Sequence, residues 1–474
     1  MVRHRRPAFE LFTSPHRRLL AMVAAVGVGG GVIGAGFIGL MRLLQRVLWP
    51  DHWDNMAHLF ILLGVGVAVA VLVRVLGSPG DVELLVNNIH VMGGPDDVAD
   101  LRSLLPVALL CISAGGAMGP EAPMVQMTGG FAAWLSRRWH LSRDDMRILT
   151  ITGMAAGFTV LFGAPLGSAV FALEILHRRG LEYYEALLPA VIGSLAGYAM
   201  YLALTNTGLA PSWHFPASGT LHAGDLLWAV AAGVAGAAVS VVFTYLATGL
   251  LWAFRHLPPM ARPVIGGAVL GSLAFWSPYA LTFGEAQINP LVARQALVAV
   301  LVVAAAAKLC GTAITLASGW RGGFIIPMFF IGVAVGRLVH LLVPSTNEVV
   351  MMAAFMAAIN VGVTKTPLGS TLVVSEMAGL QLLPTTLIAA MVALFLTSQV
   401  GLIHTQQERQ GPFAQPSDPE PCDPPAGAQP KSLADETSPP DALTAAVVTG
   451  NRSQRSPHPA AGRENGGPSV EHRR

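Results

Sequence analysis

A single acid, Glu121, sits at a point where the chain is otherwise apolar and rich in helix breakers: Gly119-Pro120-Glu121-Ala122-Pro123-Met124. A second stretch answers it in the other half of the chain, Gly322-Gly323-Phe324-Ile325-Ile326-Pro327-Met328. A helix starting at Gly119–Pro123, and its mate starting at Gly322–Pro327, would aim free backbone N–H groups and the positive ends of two dipoles at one point. Paired helix N-termini make an anion site. The residues there offer amides and no full positive charge except Arg321, which suits an anion that must bind and then leave. A lone carboxylate at the lip of such a site has its own logic. Ionised, it occupies the site as a tethered anion; protonated, it swings away. The plainer alternative is an acid that only satisfies the dipole of its own helix.

The elements that must position these residues follow from composition. The chain has 474 residues, 53% of them hydrophobic and 12% charged, against roughly 25% charged in a soluble globular protein. An all-α polytopic membrane protein is the expected class. Residues 1–18 are basic (Arg3, Arg5, Arg6, Arg17, Arg18) and precede an apolar run, Leu19–Met41, about 34 Å long as a helix. The positive-inside rule puts that N-terminus in the cytoplasm. A cleaved signal peptide is disfavoured, because the run is too long and lacks a small-residue cleavage site. Further stretches read as uncharged, among them 148–173, 226–254, 295–318 and 377–407, vary from about half a span to well over one. Gly and Pro cut several in mid-run, so helices begin and end at membrane depth, where irregular backbone survives only inside protein or along a cavity.

An internal repeat organises the stretches. Pro165-Leu166-Gly167-Ser168 with Glu174 recurs as Pro367-Leu368-Gly369-Ser370 with Glu376, and Leu-Leu-Pro follows each, at 187–189 and 382–384. Two homologous membrane halves are expected, 19–213 and 214–407, with the site between them. Glu174 and Glu376 read as partners for helix ends or basic residues rather than as ion ligands. Gly27, Gly31 and Gly34 fit close helix packing in lipid. The run Gly29–Gly34 has the form G-x-G-x-x-G but no preceding strand, so it is not a cofactor loop. Residues 408–474 are polar and rich in Pro, Ser and Gly, and read as a disordered tail.

Other classes are excluded. A net charge of +2 without a basic stripe excludes nucleic-acid binding. Three dispersed cysteines give neither a disulfide framework nor a metal site, and no cofactor is expected. No His belongs to a His-Glu-x-x-His zinc pattern, and His90, His177 and His340 read as interfacial or loop residues. A cation-coupled solute symporter stays as a remoter alternative, although it would place more polar or acidic side chains at its breaks.

Taken together, residues 18–402 resemble the CLC family of chloride channels and proton/chloride antiporters. Gly77-Ser78-Pro79 lies near that family's G-S-G-I-P loop, Gly119–Pro123 at its G-[RK]-E-G-P, and Gly322–Pro327 at its G-x-F-x-P. The resemblance implies a CLC-type fold of two inverted repeats of tilted and broken helices, about seventeen or eighteen in all. It implies a homodimer in the bilayer with one pathway for chloride or a similar small anion per subunit. By the same resemblance Glu121 is the gate and Ser78 the hydroxyl donor to the anion. The amides of Phe324 and Ile325 are further donors, with Gly119, Ala122, Gly322 and Gly323 around them.

Departures from the family pattern sharpen the expectation. The inner proton glutamate of the antiporters is Ile175 here. The basic residue before the gate is Pro120, while Arg321 appears in the facing repeat. No Tyr follows Tyr279 to supply the family's tyrosine ligand, and the tail is too short and polar for paired regulatory domains. An aliphatic side chain neither binds nor relays a proton, so channel-like conduction is expected over tight proton coupling, with an antiporter as the alternative. The bare tail and residue bias point to a bacterial inner membrane.

Overall fold

Helices begin and end where the apolar pattern breaks. The computed structural model describes residues 14–48, 54–77, 99–177, 183–208, 213–293 and 297–402, with the single positions 79, 89 and 94. Ser78, His90 and the expected tail, 408–474, lie outside the described residues. In the first half, α1 (Ser14–Leu48), α2 (Asn55–Leu76), α3 (Ala99–Ser113), α4 (Glu121–Arg138), α5 (Arg143–Phe162), α6 (Pro165–Glu174) and α7 (Leu187–Thr205) follow one another. The second half runs α8 (Ala223–Arg255), α9 (Ala261–Trp276), α10 (Glu285–Ala293), α11 (Val298–Ala317), α12 (Ile325–Leu342), α13 (Glu348–Thr364), α14 (Pro367–Ala378) and α15 (Leu383–Leu396). Short 3-10 turns precede α7, α10 and α15, and no strand occurs among the described residues.

Seven helices of each half correspond in order, α1–α7 to α8, α9 and α11–α15. Local chemistry fixes their ends. Pro165 and Pro367 start α6 and α14 at the first-turn position, where a missing N–H costs nothing. The turns before them hold matching left-handed residues, Gly163 (φ 65°) and Lys365 (φ 62°). Ser142 and Asn347 cap α5 and α13 through their side-chain oxygens. Lengths depart from one bilayer span in both directions: α8 has 33 residues and α6 has 10, about 50 Å and 15 Å. Seven helices of the described chain are long and apolar enough to cross a membrane.

The two halves are inverted, and the proof is chemical. The Glu174 carboxylate, at the C-terminus of α6, accepts from the amides of Leu368 (3.2 Å) and Gly369 (2.7 Å) at the start of α14. Glu376, near the C-terminus of α14, accepts from Leu166 (3.3 Å) and Gly167 (3.1 Å) at the start of α6. Such reciprocity requires the two helices to run antiparallel, and it satisfies orphan amides of both with a charge that complements each dipole. A Cβ on Gly167 would meet the backbone of Val373, and one on Gly369 that of Phe171, so the recurring Gly lets the pair close. The two acids are therefore helix-end partners, as the repeat suggested. Glu174→Ala leaves one buried and one part-buried amide unsatisfied and is expected to cost about 1–3 kcal/mol, read as a lower unfolding temperature in detergent. Glu174→Gln, which keeps an acceptor oxygen, is expected to lose less.

Glycines in α1 pack helices too. Cβ atoms on Gly27 and Gly31 would meet the backbones of Gly193 and Gly197 in α7, and one on Gly34 would meet Val160. The G-x-G-x-x-G run is the middle of a helix. The stretch 295–318, read as uncharged, does carry a charge: Lys308, on α11, is fully buried. Its ammonium donates to the carbonyls of Leu281 (2.8 Å) and Thr282 (2.6 Å) and to Gln287 Oε1 (3.1 Å), and stands over the Phe330 ring.

Candidate functional site

The loops that launch α4 and α12 meet in the interior. Gly119 and Gly323 exchange two backbone hydrogen bonds of 2.6 Å, an isolated antiparallel bridge. The contact demands glycine. A Cβ on Gly323 would lie 2.8 Å from the Glu121 Cβ and 3.0 Å from the Ala122 amide nitrogen, and one on Gly119 would run into the Glu121 carboxylate. Thr312 and Thr315 of α11 hold the first loop from behind. The Thr312 hydroxyl donates to the carbonyl of Ala117 (3.1 Å) and the Ala117 amide donates to the Thr315 hydroxyl (3.3 Å). The second loop is pinned by Trp320, whose indole N–H donates to the Pro263 carbonyl (3.0 Å).

Glu121 is the first residue of α4 and is 1% exposed. Its side chain crosses to the other repeat, where Oε1 accepts the amide of Ile326 (2.5 Å), in the first turn of α12. Oε2 is buried without a hydrogen-bond partner among the described residues. The carboxylate thus does more than satisfy the dipole of its own helix: it stands at the N-terminus of the opposite one. The amide that engages Glu121 is that of Ile326, the residue after Phe324 and Ile325, whose amides are the expected donors to the anion itself. Ala122 and Ile325 are buried at the same junction, while Gly322 and Phe324 are half-buried. An apolar, amide-lined junction of two positive helix ends can hold one anionic group without a counter-cation.

Gly323→Ala is expected to reduce anion flux about tenfold, since overpacking at about 1–3 kcal/mol must displace Glu121 or part the two loops. Gly36→Ala, where a Cβ meets open space, is the matched control and should leave flux unchanged.

Ile175 ends α6 and is 5% exposed. Its neighbour Glu174 is committed to the start of α14. His177, expected at an interface or in a loop, follows α6 and is in fact buried against Tyr183. Arg321 is half-buried directly before the Gly322-Gly323 turn. The sequence reading passed over Thr312, Thr315 and Lys308. A lysine inside an apolar run is itself a signal; two threonines among apolar helix residues are not.

A family model described as voltage gated chloride channel matches residues 99–398. The chloride/fluoride channel protein of Pseudomonas syringae pv. tomato is 27% identical over 438 residues, covering 86% of this chain and 90% of the relative. The voltage-gated ClC-type chloride channel ClcB of Escherichia coli is 28% identical over 295 residues, 60% of this chain and 70% of the relative. Among solved structures, a CLC-type fluoride/proton antiporter superposes with a TM-score of 0.74 at 23% identity, covering 84% of this chain and 100% of that one. A slow cyanobacterial Cl-/H+ antiporter gives 0.70 at 23% identity, covering 81% and 96%.

Proposed function

We propose that this chain, which belongs to the voltage-gated chloride channel (CLC) family, conducts chloride or a similar small anion through a path that the Glu121 carboxylate closes. One observation carries the reading: Glu121 Oε1 sits on the Ile326 amide at the N-terminus of the opposite repeat's helix, the place a permeating anion would take. Ionised, the carboxylate competes with that anion; protonated, it loses the attraction and leaves the amides to it. Gly119, Ala122, Gly322, Gly323, Phe324 and Ile325 form the amide cradle, and Ser78 supplies a hydroxyl. The protein works in the bilayer of a bacterial inner membrane as a homodimer, with its N-terminus in the cytoplasm.

Conduction is channel-like in this reading, because Ile175 cannot accept a proton and Glu174 is held on backbone amides of α14. A second reading, anion/proton antiport, is favoured by the two solved structures of similar fold, both described as antiporters; it needs a proton route without Ile175. Fluoride is the second candidate anion, since the Pseudomonas relative is described for chloride and fluoride alike. Chloride-selective and fluoride-selective electrodes on one liposome preparation decide between the anions. The reading expects chloride efflux; equal background leak of both anions would overturn it.

A further inference from the structure

A cavity of about 300 Å³ opens beside the gate, with Pro120 and Ile326 in its wall. These two residues flank the Glu121 carboxylate in structure: one precedes it in the chain, the other donates to it. The remaining wall comes from α1, the end of α5, α7 with the residues just after it, and the start of α10, and carries two charges, Arg42 and Glu285. Arg42, near the C-terminus of α1, is exposed and forms no ion pair among the described residues. Glu285, the first residue of α10, stands within electrostatic reach of both Arg42 and Glu121. Tyr198 and Tyr201 of α7, both buried, and Thr207 add polar lining.

The cation adjoining the amide cradle, Arg321, is half-buried before the Gly322-Gly323 turn and does not line the cavity, and partial charges on helix ends fall off within a turn. A full charge in a cleft with low-dielectric walls does attract over distance, by raising the local counter-ion concentration. Glu285, which lines the same cavity, acts against that field. Its place is fixed from below by Lys308, which ties down the 281–287 segment through Leu281, Thr282 and Gln287. Interfacial anchoring of the α1 end is the simpler role for an exposed arginine near a helix terminus. An anchor would have no reason to share a cavity wall with Pro120 and Ile326.

We propose that Arg42 is the anion-recruiting residue of this mouth, drawing small anions into the cavity beside the gate, and that Glu285 opposes it and sets how strongly it draws. The inference rests on the conduction reading above and adds a specificity residue outside the amide cradle.

The test is initial chloride uptake by liposomes holding the full chain, against external chloride concentration, at low and high ionic strength set with an impermeant salt. Arg42→Gln is expected to raise the half-saturating chloride concentration about fivefold at low ionic strength, with the maximal rate within about twofold. Raising ionic strength shortens the screening length from about 30 Å at 0.01 M to about 8 Å at 0.15 M and should erase most of that difference. Arg42→Lys should behave as the unsubstituted chain, and Glu285→Gln should lower half-saturation. Equal half-saturation in Arg42→Gln, or a shift indifferent to ionic strength, or an equal loss in Arg42→Lys, would overturn the assignment. No uptake by the unsubstituted chain is a different result: it would overturn the conduction reading, and this inference with it.

Discussion

Glu121→Gln is expected to conduct at neutral pH nearly as well as at acid pH, whereas the unsubstituted chain conducts strongly only as pH falls. Glutamine keeps the size of the protonated acid and removes its charge. The carboxylate is held by a charge-assisted hydrogen bond from the Ile326 amide, worth about 1.5–3 kcal/mol. Released, that hold corresponds to a rise in flux of about tenfold to a hundredfold at neutral pH. The sign follows from the group itself. Protonation discharges the tethered anion, so closure is complete above the titration of Glu121 and lost below it. Chloride efflux across a pH series checks this, and a mutant that keeps the pH profile of the unsubstituted chain would falsify the gating role.

The second large effect is the absence of proton pumping. Under an inward chloride gradient with a pH-sensitive dye, liposomes containing the chain are expected to show chloride movement without uphill proton movement. Stoichiometric exchange needs a proton relayed to Glu121 through protein, and Ile175 offers no group to carry it. Glu174 does not replace it, because both its oxygens are engaged by amides of Leu368 and Gly369. Uphill proton movement at a fixed ratio to chloride would establish the antiporter and send the search to another buried titratable group. His177, two residues beyond Ile175 and 1% exposed, is the first to substitute.

Much of this was legible in the sequence. The Pro-Leu-Gly-Ser…Glu repeat announced two halves because each motif bears three constraints at once. Pro starts the helix, Gly permits close approach to its mate, and Glu satisfies the mate's amides. Glu121 was legible for a related reason, since an acid between two helix breakers in an apolar run has few structural uses. That the two halves cap each other reciprocally was not legible, because no spacing within one helix reveals which distant N-terminus its last residue meets. Which amide of α12 engages Glu121 was not legible for the same kind of reason. Pattern locates the start of α12 near Gly322–Pro327, whereas the rotation of its first turn, which decides between Ile325 and Ile326, is set by the Gly119–Gly323 bridge. Lys308 stands out in the sequence as a lysine inside an apolar run, but its partners Leu281, Thr282 and Gln287 do not. The Arg42–Glu285 mouth escaped because its residues are far apart in the chain and converge only in the fold.

Chloride efflux from liposomes tests the central claim most directly: purified chain, a potassium ionophore to release the charge, a chloride electrode outside, and protein-free liposomes alongside. The account predicts ionophore-dependent chloride efflux that grows as the pH is lowered. Efflux no greater than that of protein-free liposomes at every pH would contradict it.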